Sequence, residues 1–340
     1  DLLGDGLFIA SKAKEAAKGH LKMVLRANGN TRWYFDIDEP LRLGPSIYQY
    51  PQGVSGKPNE VYFSQLDTVY CVDLRYGDLL WRQEVDFPIS TRVVADDLGY
   101  FVGSDNGRAY GLRKNSKVED WTHRTVNSVK ASLLVDGPNV YIASTDGNVY
   151  RLAGRTGWVH GASWKEPTGA RIVADPVAFS RWVIVGSTDY KLYCFESIDG
   201  STFWTFPAEA PIEDAPVVYS YRPNQDFVYC IAVDRTARGE KRTLFSVKLG
   251  TGEEAWRTQG VRKVVAMGKS HLYVLGDPTA GDERSIVALD ILTGREKFRI
   301  PSGGFHFIPT NLADSRNPKE RGRIYLIAED GTIQVIGERL

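Results

Sequence analysis

The chain has 340 residues, 42% of them apolar, and its 42 Lys and Arg balance its 42 Asp and Glu to zero formal net charge. That is ample material for a core, and it implies no global attraction to nucleic acid or to an anionic membrane. No run of 18 apolar residues exists, so no transmembrane helix is encoded; the three cysteines are too few, and odd in number, for a disulfide framework.

In chain order, the first strand signal is Leu7-Phe-Ile-Ala-Ser11, followed by Leu21 to Leu25 and by a strand that carries Trp33. Ten residues before Trp33 stands Met23, with Gly29 in the turn between. The same spacing then recurs: Cys71 before Trp81 with Gly77 between, Gly111 before Trp121, Cys194 before Trp204 with Gly200, Ser246 before Trp256 with Gly252, and Ala288 before Phe298 with Gly294. Trp164 belongs to a looser copy, with Arg151 thirteen residues upstream. A small residue ends one apolar strand, a glycine makes the turn, and an aromatic fixes the next strand.

The aromatics lie 40 to 52 residues apart. That period suits four strands per propeller blade or a pair of helices. Short β-branched and aromatic runs such as Val140-Tyr-Ile-Ala-Ser144, bounded by turns such as Asp146-Gly147 and Asp199-Gly200, decide for strands. The expectation is an all-β fold: a single β-propeller domain over 1–340 built of four-stranded antiparallel blades, strands A to D from the centre outwards. The copies cover about 7–37, 41–85, 87–124, 127–168, 170–207, 211–258, 261–301 and 304–340. Eight blades is the preferred count; seven, with one blade built from both termini, is the alternative. The first copy opens without a clear strand A. The last supplies strands A, B and C. Cys71, Cys194 and Cys230 lie inside apolar strands and read as small buried hydrophobes.

The stretch Ala288-Leu-Asp-Ile-Leu-Thr-Gly-Arg-Glu-Lys-Phe298 resembles the tryptophan-docking repeat of the quinoprotein (PQQ)-like propellers, Ala-x-Asp-x-x-Thr-Gly-Lys-x-x-Trp. Cys71 to Trp81 keeps the small residue, Asp73, Gly77 and the Trp; Ser246 to Trp256 keeps Thr251, Gly252 and the Trp. The resemblance implies that Trp33, Trp81, Trp121, Trp164, Trp204, Trp256 and Phe298 dock blade against blade. A flat indole suits that wedge and buries a large area. Family members of one kind are dehydrogenases that hold pyrroloquinoline quinone and Ca²⁺. No adjacent cysteines and no ligand set of theirs map onto this chain, so no PQQ, Ca²⁺ or other cofactor is expected. The shorter, non-enzymatic members resemble it more: the BamB-type scaffolds of outer-membrane assembly. By that resemblance the chain is a non-catalytic, exported (periplasmic) scaffold with a protein partner. Two alternatives stand beside it: an enzyme or small-ligand binder using the central funnel, and a sensor or adhesion module of a larger chain.

No motif for chemistry emerges. His20, His123, His160, His271 and His306 form no His-x-His or His-x-x-x-His pair. Asp36-Ile-Asp38-Glu39 lacks the Gly turn and distal Glu of a Ca²⁺ loop, and Gly-x-Ser-x-Gly is absent. Gly103-Ser-Asp-Asn-Gly107 recurs as Ser144-Thr-Asp-Gly147 and Gly186-Ser-Thr-Asp189, so it reads as the B–C turn and not as a phosphate loop.

The copies differ in their loops, and insertions often mark the binding face of a repeat protein. Three B–C connections are long: 11–20, 235–242 and 277–284. The first carries Lys12, Lys14 and Lys18, and the second Arg235, Arg238, Lys241 and Arg242. The expectation is a locally basic arc on one rim that docks an acidic protein segment or glycan. The A–B connections 51–58, 222–226 and 313–322 are also read as long loops, on the opposite face.

Overall fold

The computed structural model of the protein describes residues 2–3, 6–12, 19–26, 28–37, 41–50, 57–116, 119–153, 164–223, 225–236, 239–277, 285–301, 305, 308–309, 322–328 and 332–337. Among the described residues there are 30 β-strands and no helix, so none long and apolar enough to cross a membrane. The first sheet holds β1 (Leu2–Leu3), β2 (Gly6–Lys12), β3 (Gly19–Leu25) and β4 (Thr31–Ile37). The second holds β5 (Ser46–Tyr48), β6 (Glu60–Gln65), β7 (Thr68–Asp73) and β8 (Leu79–Glu84). The third holds β9 (Val94–Ala95), β10 (Gly99–Ser104), β11 (Arg108–Arg113) and β12 (Glu119–Arg124), and the fourth β13 (Leu134–Asp136), β14 (Asn139–Ala143), β15 (Asn148–Ala153) and β16 (Trp164–Pro167). The fifth holds β17 (Val177–Phe179), β18 (Trp182–Ser187), β19 (Lys191–Glu196) and β20 (Thr202–Pro207). The sixth holds β21 (Val217–Arg222), β22 (Gln225–Thr236), β23 (Gly239–Lys248) and β24 (Glu254–Gln259). The seventh holds β25 (Val261–Met267), β26 (His271–Gly276), β27 (Ser285–Asp290) and β28 (Glu296–Pro301), and the last pairs β29 (Ile324–Ile327) with β30 (Ile333–Ile336).

Each sheet is a meander with sequential strands as neighbours, and the described residues form eight sheets and not seven. The first sheet has its own innermost strand, the two-residue β1, where the sequence shows no clear one; two residues carry too little pattern to be read. In the last sheet, the described residues hold strands B and C of the three expected.

Register explains the ten-residue spacing. The residue ten positions upstream lies directly across from the aromatic, Met23 from Trp33 and, where it is small, Cys71 from Trp81, Gly111 from Trp121, Ser246 from Trp256 and Ala288 from Phe298. In each of these pairs the ladder shifts at the next residue. One residue of the outer strand (Arg32, Leu80, Asp120, Ala255 or Lys297) is bulged out. At Gly111 a Cβ would collide with Nε1 of Trp121. The looser copy pairs Arg151 with Trp164 without a bulge. Its guanidinium reaches the Ile198 carbonyl at 2.7 Å and the Asn139 side chain at 2.8 Å.

The middle strands are buried on both faces. Tyr62 of β6 joins a cluster with Tyr100 and Val102 of the third sheet, while its neighbours Val61 and Phe63 pack with Phe8 and Leu21 of the first. Parallel clusters join the third to the fourth sheet, the fourth to the fifth, the sixth to the seventh and the seventh to the eighth. A strand packed on two sides needs an unbroken apolar run, which is what these sequences carry. Backbone packing divides the chain into two compact units, 3–189 with 193–203, and 204–340 with 190–192. Cys71, Cys194 and Cys230 are free and buried, and burial pushes each thiol up to about 12.

Candidate binding surfaces

The repeated aromatics fall in three groups. Trp33, Trp164, Trp204 and Trp256 are buried against the next sheet in the chain, each lying flat on the turn glycine of the following copy. A Cβ at Gly77 would stand 2.6 Å from Trp33, at Gly200 2.5 Å from Trp164 and at Gly252 2.7 Å from Trp204, and one at Gly294 would collide with the ring of Trp256. Each indole N–H also donates to a carbonyl of that turn: Trp33 to Leu74 at 3.0 Å, Trp164 to Ser197 at 3.2 Å, Trp204 to Leu249 at 2.7 Å and Trp256 to Ile291 at 2.8 Å. In the second copy the turn is pinned by an aspartate: Asp73 Oδ1 accepts the N–H groups of Arg75 and Tyr76, both at 2.7 Å. Trp81 and Trp121 pack on apolar residues of the third and fourth sheets respectively. Phe298 stands apart. It is 43% exposed, and its ring partners among the described residues, His271 and Tyr273, belong to its own sheet.

A second set of tethers holds the other end of the sheets, at segments that read in the sequence only as hairpin turns. Asp146 accepts the main-chain N–H of Val126, in the connection entering its sheet, at 2.9 Å, and the Tyr150 hydroxyl at 2.7 Å. Asp189 repeats this with the N–H of Gly169 at 2.8 Å and the Tyr193 hydroxyl at 2.5 Å. The signal is present as Asp-x-x-x-Tyr in both copies.

The expected basic arc changes character. Of residues 235–242, the described 235–236 and 239–242 do not form a loop. They are the paired ends of β22 and β23, which run together to Thr236 opposite Gly239. In the expected loop 222–226, Arg222 pairs opposite Gln225, and residue 224 lies outside the described residues. The cations are matched by carboxylates close by. Arg235 meets Glu213 at 2.6 Å; Arg242 meets Glu240 at 2.5 Å and Asp277 at 3.4 Å; Asp277 also takes Arg262 at 3.0 Å. Lys241 is exposed, across from Asp234 in the register. Beneath them burial raises the Asp214 carboxyl above its ordinary value and lowers the Lys263 ammonium, each opposing the other's shift. Among the described residues, these cations belong to a balanced charge network. Lys14, Lys18 and Arg238, with the side chain of Lys12 and residues 278–284, lie outside the described residues. So do 51–56 and 313–321 of the other expected loops.

Chemistry of other kinds finds little to build on. Among the described residues no three His, Cys, Asp or Glu side chains converge as a metal would require. His20 pairs with Asp36 at 2.7 Å, and His123 is half-buried, which lowers its pKa by desolvation.

A cleft of ≈ 1000 Å³ is formed by the second and third sheets and the connection at Arg42. Residues Gln83 to Ile89 line it without a break.

Comparison with known proteins gives the fold a family. The family described as outer membrane protein assembly factor BamB matches residues 17–160 and 151–297. BamB of Kangiella koreensis is 30% identical over 141 residues, which is 38% of this chain and 35% of that protein, so the match spans about a third of the relative. The crystal structure of BamB from Moraxella catarrhalis superposes with a TM-score of 0.69 at 18% identity, covering 99% of this chain and 93% of the other. Dihydro-heme d1 dehydrogenase NirN in complex with DHE also gives 0.69, at 15% identity, covering 98% and 70%. Those two structural likenesses concern the fold, a β-propeller of four-stranded antiparallel blades. With the repeat, its tryptophan junctions and a family match over most of its length, the chain belongs to the BamB family of PQQ-like β-propellers.

Proposed function

We propose that this protein is a non-catalytic binding scaffold, working without a cofactor, that recognises a protein partner in an outer-membrane assembly on the periplasmic side. The observation that carries this reading is the family match over residues 17–160 and 151–297. The chemistry of the repeat supports it. The positions that recur are consumed by packing, as in the indole–glycine contacts. What varies between copies is the sheet ends, where rigid strands present polar groups to a partner.

The reading is tested by melting the protein with and without pyrroloquinoline quinone and Ca²⁺. A resident cofactor at a hundred times its dissociation constant would add about 2.7 kcal/mol to folding stability. The scaffold reading expects an unchanged midpoint. A clear rise would replace it with a quinoprotein enzyme.

A further inference from the structure

We propose that the cleft between the second and third sheets docks an extended, cationic protein segment. The inference rests on the scaffold reading and gives it a surface and a partner chemistry. Among the described residues, five carboxylates line the cleft, Asp67, Glu84, Asp86, Asp105 and Glu119, against the single cation Arg42. Asp105 is engaged by Lys130 at 3.1 Å, which leaves the lining net negative. In a chain of zero net charge this is a local field, and a concave wall focuses it on whatever enters.

The second observation is independent of charge. Gln83 lines the cleft and is only 5% exposed. Its Oε1 accepts the N–H of Ser116 at 3.2 Å, which fixes the amide orientation, while its Nε2 is buried with no hydrogen-bond partner among the described residues. A buried N–H left without an acceptor is unfavourable, because it has given up its bond to water. The carbonyl of an incoming main chain supplies that acceptor. Beside it, Leu66 and Ile89 give the lining an apolar component, with Leu66 59% exposed. The unbroken lining from Gln83 to Ile89 starts on β8, the outer strand of its sheet, and continues beyond it. A segment laid along it meets a donor, a row of carboxylates and an apolar wall. That combination selects a polypeptide carrying Lys or Arg between apolar residues.

The test uses the full chain and a dye-labelled synthetic peptide of alternating lysine and valine, with a glutamate–valine peptide as control, read by fluorescence anisotropy. The lysine peptide should bind, more weakly as salt rises, and the glutamate peptide should not. The double change E84K/D86K, at two exposed positions, should weaken binding roughly tenfold or more, since it places like charges along the peptide. Q83L should weaken it several-fold with little change in salt dependence, and thermal melts of both variants confirm folding. Equal binding of both peptides, equal binding by E84K/D86K, or no binding of the lysine peptide would each overturn the proposal. If the chain ignores the peptide yet still co-purifies with outer-membrane assembly components, the cleft inference fails alone. If it co-purifies with none, the scaffold reading fails.

Discussion

Gly252 does two jobs at once. Its φ of +73° is a backbone conformation that side chains resist, and its bare Cα is the floor on which Trp204 lies. Gly29 separates the two effects, because it has φ +74° and nothing within 4 Å of where a methyl would stand. G29A should therefore cost only the conformational strain, about 1–2 kcal/mol. G252A adds an overpacking cost of about 1–3 kcal/mol, for about 2–5 kcal/mol in all. Urea unfolding of the two variants checks this, and equal losses would show that the indole contact contributes nothing. The turn glycines and the tryptophans are both legible in the sequence as a spacing. Their contact is not, because ring and glycine belong to different copies, with Trp33 and Gly77 44 positions apart. A linear pattern displays the period of a repeat but not which side of one copy faces the next.

Strands behave similarly. The segment 235–242 reads as a loop because six of its eight residues are charged or glycine. In the hairpin those charges face each other across the ladder, Asp234 opposite Lys241 and Arg235 opposite Glu240, and opposite charges directly across a sheet stabilise it. Hydrophobic alternation finds strands that bury a face and misses an arm held by its own cross-strand pairs. The aspartate tethers are hidden for another reason. Asp146-Gly147 is a good turn on local grounds, so nothing requires a further role. Burial pushes the Asp146 carboxyl up, but the hydrogen bonds from Tyr150, from the N–H of Val126 and from Asn148 outweigh it and hold Asp146 below its ordinary 3.8. A depressed carboxylate stabilises the fold above its unfolded value, and that stability is lost as pH falls through the folded value. D146A should accordingly cost about 1 kcal/mol at neutral pH, solvent screening included, and the gap to the unaltered protein should close in acid below 3.8. Unfolding midpoints measured as a function of pH decide it; a gap that widens in acid contradicts the tether.

For the molecule as a whole, the repeat accounts for both what is fixed and what is free. Residues at the shared positions, Cys71, Gly77 and Trp81 among them, have packing roles. The surface that differs between copies is left to recognise something else. Eight sheets follow from counting copies, whereas the cleft beside Gln83 arises from two sheets brought together and leaves no trace in either copy alone. The most direct measurement is co-purification: the tagged chain is expressed in its host, the envelope is crosslinked and solubilised, and the proteins recovered are identified. The account predicts enrichment of outer-membrane β-barrel assembly components over an unrelated periplasmic propeller carried through in parallel. Recovery of none of them, from a chain that melts cooperatively and is present in the envelope, would contradict it.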